Sequence, residues 1–120
     1  MKLYSGCSYN VKKMEKKTIT PKQLKEMIDS SSGVIIIDSR SPEEFYGELG
    51  HINNSINLSL ADMIERADWI EKQEVPVCII CNSGGKSLRE AAALRKGIKN
   101  SVYSVSGGII GWHLEDFEVV

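Results

Sequence analysis

Three shortages in this 120-residue sequence restrict the classes of protein to which it can belong. It has only 3 cysteines, an odd and low count that argues against a disulfide framework and is typical of a reducing compartment. No apolar run approaches the roughly 20 residues of a membrane-spanning helix. The net charge of -1 gives no electrostatic attraction to nucleic acid or to an anionic membrane. We therefore expect a cytoplasmic protein that binds neither nucleic acid nor a membrane.

The first 17 residues are polar and rich in lysine, without the periodicity of a helix or a strand. We predict that residues 1–17 form an N-terminal tail and that residues 18–120 form one domain, a length that suffices for a core without disulfides. The YSGC segment at residues 4–7 is similar to a lipoprotein cleavage box. Only a few residues precede it, far fewer than the roughly 7–15 apolar residues of an export signal. A truncated lipoprotein leader is therefore the alternative to a simple tail.

The rest of the chain alternates between short apolar runs and helical patterns. The apolar runs predict strands at residues 34–38, 56–58, 75–81 and 101–105. Thr20 and Ser41 are predicted N-caps of helices, because each is followed by proline and, three residues on, by Gln or Glu. Further helices are predicted at residues 61–72, 87–97 and 107–117. Alternating strands and helices indicate a parallel α/β sheet, in which ligands bind at the carboxyl ends of the strands.

Two cysteines, Cys78 and Cys81, stand three residues apart at the end of one predicted strand. Side chains alternate between the two faces of a strand, so we expect these thiols to point to opposite faces. This orientation disfavours a redox pair of the CxxC type. Such a pair also needs both cysteines at a helix N-terminus, whereas these two lie in an apolar, strand-like run. A zinc site is less favoured still, since neither His51 nor His113 has zinc-finger spacing to the pair. We expect Cys78 to be a small, buried apolar residue.

Cys81 is the candidate nucleophile, because a glycine-rich turn and then a helix follow it. Gly84 and Gly85 permit positive φ, which lets successive backbone N–H groups curl inward around an anion. The helix predicted to begin near Ser87 adds the positive end of its dipole, and Lys86 adds a full positive charge. Such surroundings lower a cysteine pKa from about 8.5 to roughly 3.5–7.5. The alternative is an inert, buried cysteine beside a glycine-rich loop.

Three blocks of the sequence, in order, resemble single-domain rhodaneses, the thiosulfate sulfurtransferase-like family. Residues 35–60 are similar to the family pattern D-x-R-x-x-x-E-[FY] followed by G-H-I. Residues 79–98 are similar to the catalytic block C-x-x-G-x-R-S-x-x-A-A-x-x-L-x-x-x-G, with Cys81 at its cysteine. Residues 102–112 are similar to the closing block V-Y-x-L-x-G-G-x-x-x-W. The resemblance implies a rhodanese-like α/β fold, a single domain with a five-stranded parallel sheet flanked by helices on both faces.

The resemblance also implies sulfur transfer in two steps, with no metal and no organic cofactor. The Cys81 thiolate would take the outer sulfur of a thiosulfate-like donor as a persulfide, and cyanide or a thiol acceptor would then remove it. Asp38 and Arg40 are expected to support the loop region through a charge pair. The persulfide would be bound by the loop residues Asn82, Ser83, Gly84, Gly85, Lys86 and Ser87. The alternative is a dedicated persulfide carrier or regulatory module that acts with one protein partner and turns over little free substrate.

Phosphate hydrolysis is another activity known for relatives of the same architecture. Their cysteine loop has five residues between cysteine and arginine, whereas four residues separate Cys81 from Lys86. The resemblance therefore favours a persulfide over a phosphate. Lys86 stands where the family most often has arginine, and it keeps the charge but lacks the bidentate fork that fits an oxyanion. Asn82 stands where thiosulfate enzymes often carry a positive residue.

Overall fold

The structure is a computed structural model that describes residues 17–120. The predicted tail, residues 1–17, lies outside the described residues except for Lys17. The segment at residues 4–7, with Cys7, also lies outside them. Within the described part of the chain, no helix has the length and apolar character needed to cross a membrane.

The described chain contains five strands, β1 (Thr18–Ile19), β2 (Ile35–Asp38), β3 (Ile56–Asn57), β4 (Val77–Ile80) and β5 (Val102–Val105). All neighbouring strands are parallel, and their order across the sheet is β1-β5-β4-β2-β3. The five-stranded parallel sheet that the resemblance implied is confirmed. The apolar runs predicted four of these strands, and they missed β1, which lies at the edge of the sheet and pairs with β5.

The same part of the chain contains six helices, α1 (Pro21–Asp29), α2 (Pro42–Phe45), α3 (Leu60–Glu65), α4 (Ala67–Lys72), α5 (Gly85–Arg95) and α6 (Gly108–Leu114). Both predicted capping boxes are present, at Thr20 and at Ser41. The prediction of one helix over residues 61–72 is wrong. Two helices meet at Arg66, where φ of -99° and ψ of 15° end the first before the second begins. Helix α5 begins at Gly85 and not near Ser87.

Helices cover both faces of the sheet, as the resemblance implied. Side chains of β2 and β4 alternate between two apolar clusters, one on each face. The first cluster includes Ile37 and Ile79, and α3, α4 and α5 pack against it. The second includes Ile36 and Cys78, and α1 and α6 pack against it. Burial of these two clusters supplies the main driving force for folding and makes the central strands a firm support.

The register between β2 and β4 sets the position of the candidate site. Asp38 lies opposite Ile80, so the chain leaves both strands at the same carboxyl edge of the sheet. The backbone N–H of Ser39 donates to the carbonyl of Ile80 at 3.0 Å, which extends the pairing by one more bond. Cys81 is the next residue after Ile80 and therefore emerges at the edge where parallel sheets bind their ligands.

Candidate active site

The sulfur of Cys81 lies at the N-terminus of α5. The backbone N–H groups of Gly84 and Ser87 donate to Sγ at 3.2 Å and 3.3 Å. Gly84 has φ of 108°, a left-handed conformation that glycine adopts without strain. Gly85 was expected to share this conformation, but it is the first residue of α5 instead. The turn at Gly84 thus directs two N–H groups at the sulfur, in the manner of an anion-binding nest.

The Cys81 thiol is more acidic than an ordinary cysteine. Burial opposes its ionisation, since the residue is only 3% exposed. The hydroxyl of Ser87 and the N–H groups of Ser87, Gly84 and Ser83 outweigh this effect and hold the pKa of Cys81 below its usual value. Because the thiolate is the nucleophilic form, the geometry favours reaction at this sulfur.

Two buried hydroxyl groups, those of Ser87 and Ser104, lie close to the turn at Gly84. The hydroxyl of Ser87 lies 2.7 Å from that of Ser104 on β5 and 3.2 Å from the carbonyl oxygen of Gly84. The Ser87 hydroxyl donates to the Gly84 carbonyl, so when Ser104 donates to Ser87 the two hydroxyls together stabilise the turn before α5. The sequence predictions did not include Ser104. The sequence signal that could have indicated Ser104 is a single serine within the apolar run that forms β5.

Cys78 faces away from this site. It is fully buried in the second cluster, and its sulfur lies 4.0 Å from that of Met27. Burial raises the pKa of Cys78 to about 12. Cys81 instead contacts the start of α5. This helix packs, through Leu94, against the first cluster on the other face of the sheet. The two thiols therefore lie in separate surroundings, which does not favour a redox pair. Residues 17–120 contain no group of three His, Cys, Asp or Glu side chains suited to hold a metal ion.

A buried ion pair lies beside the site. Arg40 Nη2 lies 2.9 Å from Asp38 Oδ2, and both side chains are almost completely buried. Arg40 also donates to the carbonyl of Gly50 at 2.6 Å and to that of Glu44 at 3.3 Å. The pair thus connects the end of β2 to α2 and to the connector that follows it. The carboxylate of Asp38 neutralises the guanidinium charge, and the backbone carbonyls occupy further N–H donors. Arg40 is therefore poorly placed to bind an anionic ligand.

A pocket of about 200 Å³ opens at Cys81. Lys86 lies along its wall, where Nζ donates to the carbonyl of Ser39 at 2.9 Å. The side-chain amide of Asn82 donates to Glu44 Oε2 at 2.9 Å and joins the loop to α2. The full lining consists of Arg40, Glu44, Cys81, Asn82, Ser83 and Lys86.

The predicted loop residues thus occupy three kinds of position. Asn82, Ser83 and Lys86 line the pocket, and Gly84 and Ser87 bind the sulfur. Gly85 does neither, because its backbone N–H makes no bond to the sulfur and it is not part of the lining. Glu44 was expected first as a capping residue, and no local sequence signal indicates that it also reaches a residue 38 positions away.

Helix α6 holds the loop that follows Cys81 from the other side. The N–H groups of Ile109 and Ile110 donate to the carbonyls of Cys81 and Asn82 at 2.8 Å and 3.2 Å. Gly108 has φ of 58°, and a Cβ built there would lie only 2.5 Å from the carbonyl carbon and oxygen of Asn82. The loop backbone therefore passes α6 at a distance that only glycine permits.

The acidity of Cys81 can be measured by its rate of alkylation. We expect the rate to rise with pH through a midpoint clearly below about 8.5, the ordinary value for a cysteine, because the thiolate is the reacting form. Cys78, with a pKa of about 12, contributes little over this range. A Cys7→Ser background removes the third thiol, and Cys81→Ser in that background identifies the signal. A midpoint near the ordinary value would contradict stabilisation of the thiolate by the N–H groups of the loop.

Known proteins resemble this chain over most of its length. The family model of the rhodanese-like domain matches residues 20–115. Thiosulfate sulfurtransferase GlpE of Shewanella oneidensis is 33% identical over 100 residues, which cover 81% of this chain and 92% of that protein. The "Putative sulfur carrier protein YrkF" of Bacillus subtilis is 29% identical over 94 residues, or 78% of this chain and 49% of that protein.

Several relatives are much longer than this chain. "Probable adenylyltransferase/sulfurtransferase MoeZ" of Mycobacterium tuberculosis is 29% identical over 97 residues, which are 79% of this chain but 24% of MoeZ. This chain therefore spans about a quarter of that relative. Among solved structures, a rhodanese-related protein of Thermoplasma volcanium superimposes with a TM-score of 0.70 and 28% identity, over 87% of this chain and 97% of the other.

Proposed function

This chain belongs to the rhodanese-like domain family of sulfurtransferases, and we propose that it carries sulfane sulfur as a persulfide on Cys81. The donor is thiosulfate or a similar compound, and the acceptor is cyanide or a thiol. The observation that carries the proposal is the pair of N–H groups, from Gly84 and Ser87, that point at the Cys81 sulfur. We place the domain at residues 18–120 and its activity in the cytoplasm.

In the first step, the Cys81 thiolate attacks the outer sulfur of thiosulfate. A new S–S bond forms to Cys81, the S–S bond of the donor breaks, and sulfite leaves with the bonding electron pair. Charge is conserved, because a thiolate and a dianion give an anionic persulfide and a dianion. The N–H groups of Gly84 and Ser87 would stabilise the thiolate before the attack, and the N–H groups of the loop, residues 82–87, would stabilise the outer sulfur that carries the charge of the persulfide. No separate base is needed, since the thiol is already acidified.

In the second step, the acceptor attacks the outer sulfur of the persulfide. With cyanide, a C–S bond forms, the persulfide S–S bond breaks, and thiocyanate leaves while Cys81 returns as the thiolate. Lys86 would attract the anionic donor from the wall of the pocket. Asp38 and Arg40 would support the loop through their ion pair and take no part in bond breaking.

A second candidate is a dedicated persulfide carrier or regulatory module that serves one protein partner. The likeness to a relative whose name includes "sulfur carrier" supports it. The two candidates differ in turnover. A carrier forms one persulfide and keeps it until its protein partner binds, whereas an enzyme transfers sulfur repeatedly to a free acceptor.

The test is steady-state thiocyanate formation from thiosulfate and cyanide. We expect multiple turnovers per Cys81, and negligible hydrolysis of an aryl phosphate by the same preparation. A single burst equal to the protein concentration would favour the carrier. Phosphate release that requires Cys81, without thiocyanate formation, would contradict sulfur transfer altogether.

A further inference from the structure

The carboxylate of Glu44 is held in place at the mouth of the Cys81 pocket. Its Oε2 accepts a hydrogen bond from the Asn82 amide at 2.9 Å, and its Oε1 accepts one from the N–H of Ser41 at 3.1 Å. The bond from Asn82, followed by that from the Ser41 backbone, lowers the pKa of Glu44. The carboxylate is therefore ionised at neutral pH and fixed at two points.

The charges around the pocket almost cancel. Arg40 is paired with Asp38 in the buried ion pair, so this side of the lining is close to neutral. Lys86 contributes one positive charge, because its hydrogen bond to the neutral carbonyl of Ser39 does not neutralise the ammonium group. Glu44 contributes one negative charge. The charged side chains of the lining therefore offer no excess of positive charge to a doubly charged anion, beyond the partial charge of the N–H groups at the sulfur.

We propose that Glu44 determines donor specificity, by disfavouring dianionic sulfur donors relative to donors with one negative charge or none. The inference rests on the function proposed above. Glu44 and Cys81 line the same pocket of about 200 Å³, so any donor that reaches the sulfur must lie close to the carboxylate. Repulsion between like charges at such a separation grows in proportion to the charge of the donor. Thiosulfate remains a donor, and the carboxylate favours over it the persulfide of a small thiol or another singly charged sulfane compound.

The transfer chemistry is unchanged for this class. The Cys81 thiolate attacks the terminal sulfur of R–S–SH, the donor S–S bond breaks, and R–S⁻ leaves with the electron pair. The products are a Cys81 persulfide and a thiolate, so the total charge is the same before and after. A thiosulfonate, R–SO₂–S⁻, reacts in the same way and releases a sulfinate.

The experiment compares two donors that differ by one charge, thiosulfate and methanethiosulfonate, on the parent protein and on Glu44→Gln. Glutamine removes the charge with little change of shape, and a rotated Asn82 amide can accept from the new side-chain N–H₂ in place of donating to Glu44. It also preserves the capping box, because Gln23 fills the same position in the box of α1 and accepts from the N–H of Thr20 at 2.8 Å. The variant is therefore expected to fold like the parent, which a melting curve checks.

We expect Glu44→Gln to raise kcat/KM about tenfold for thiosulfate and about threefold for methanethiosulfonate, mainly through KM. Glu74→Gln is the matched control, since Glu74 is exposed and precedes β4 at the opposite edge of the sheet. It should change neither value.

An equal change for both donors, no change, or a loss with thiosulfate would overturn the inference. These outcomes differ from a failure of the proposed function, in which the parent protein itself would form a persulfide with neither donor. The same pair of donors therefore tests the role of Glu44 and the sulfur-transfer assignment independently.

Discussion

Replacement of Cys81 by serine is expected to reduce thiocyanate formation to the background level. A serine hydroxyl is not ionised by the N–H groups of Gly84 and Ser87, and it cannot accept a sulfur atom to form a persulfide. Because the whole reaction passes through that persulfide, no partial activity should remain. Steady-state turnover of thiosulfate and cyanide measures the effect.

The matched control for this variant is Cys78→Ala, three residues earlier in the chain. Cys78 is fully buried, and its raised pKa keeps it as a neutral thiol. The change should lower stability by about 1–2 kcal/mol, because it leaves a small cavity, and it should leave most of the activity. A comparable loss of activity in a folded Cys78→Ala protein would restore the redox-pair interpretation.

Replacement of Gly108 by alanine should produce the largest loss of stability among these changes. The new methyl group would overlap the backbone of Cys81 and Asn82, and the left-handed φ of 58° disfavours any side chain. We expect the free energy of unfolding to fall by about 3 kcal/mol, which lowers Tm by roughly 10 °C. The displaced loop should also lose at least about tenfold in kcat/KM, because misplaced groups are costly to catalysis.

Gly97→Ala separates this effect from a general effect of losing a glycine. Gly97 follows α5, has no positive φ, and its added Cβ would meet no atom closer than 3.7 Å. Alanine there should leave stability unchanged or raise it by about 0.4–1 kcal/mol, through the lower entropy of the unfolded chain. If Gly108→Ala melts at the same temperature as Gly97→Ala, then the close approach of α6 to the loop is not a real constraint.

The features that the sequence predicted correctly are those that depend on short, local patterns of residues. The two capping boxes follow from residues three apart, and both form as expected at Thr20 and Ser41. The apolar runs of β2 and β4 also predicted that these strands are buried on both faces. Cys81 was expected at the carboxyl edge of the sheet because strand direction alone determines which end of a parallel strand faces the ligand.

The remaining features depend on contacts between distant parts of the chain. Strand β1 has only two residues, too few to show a periodicity, and its pairing with β5 defines it. The break at Arg66 has no glycine or proline to mark it. The bond from Asn82 to Glu44 and the approach of Gly108 to the loop both appear only when the sheet brings separate segments together.

The central claim is that Cys81 carries the transferred sulfur, and the mass of the protein after incubation with thiosulfate tests it most directly. We predict a gain of one sulfur atom per chain, mapped by peptide analysis to Cys81 and lost again when cyanide is added. The gain should be absent from Cys81→Ser and present in Cys78→Ala. No gain in mass, or a sulfur atom that maps to Cys7 or Cys78 instead, would contradict the account.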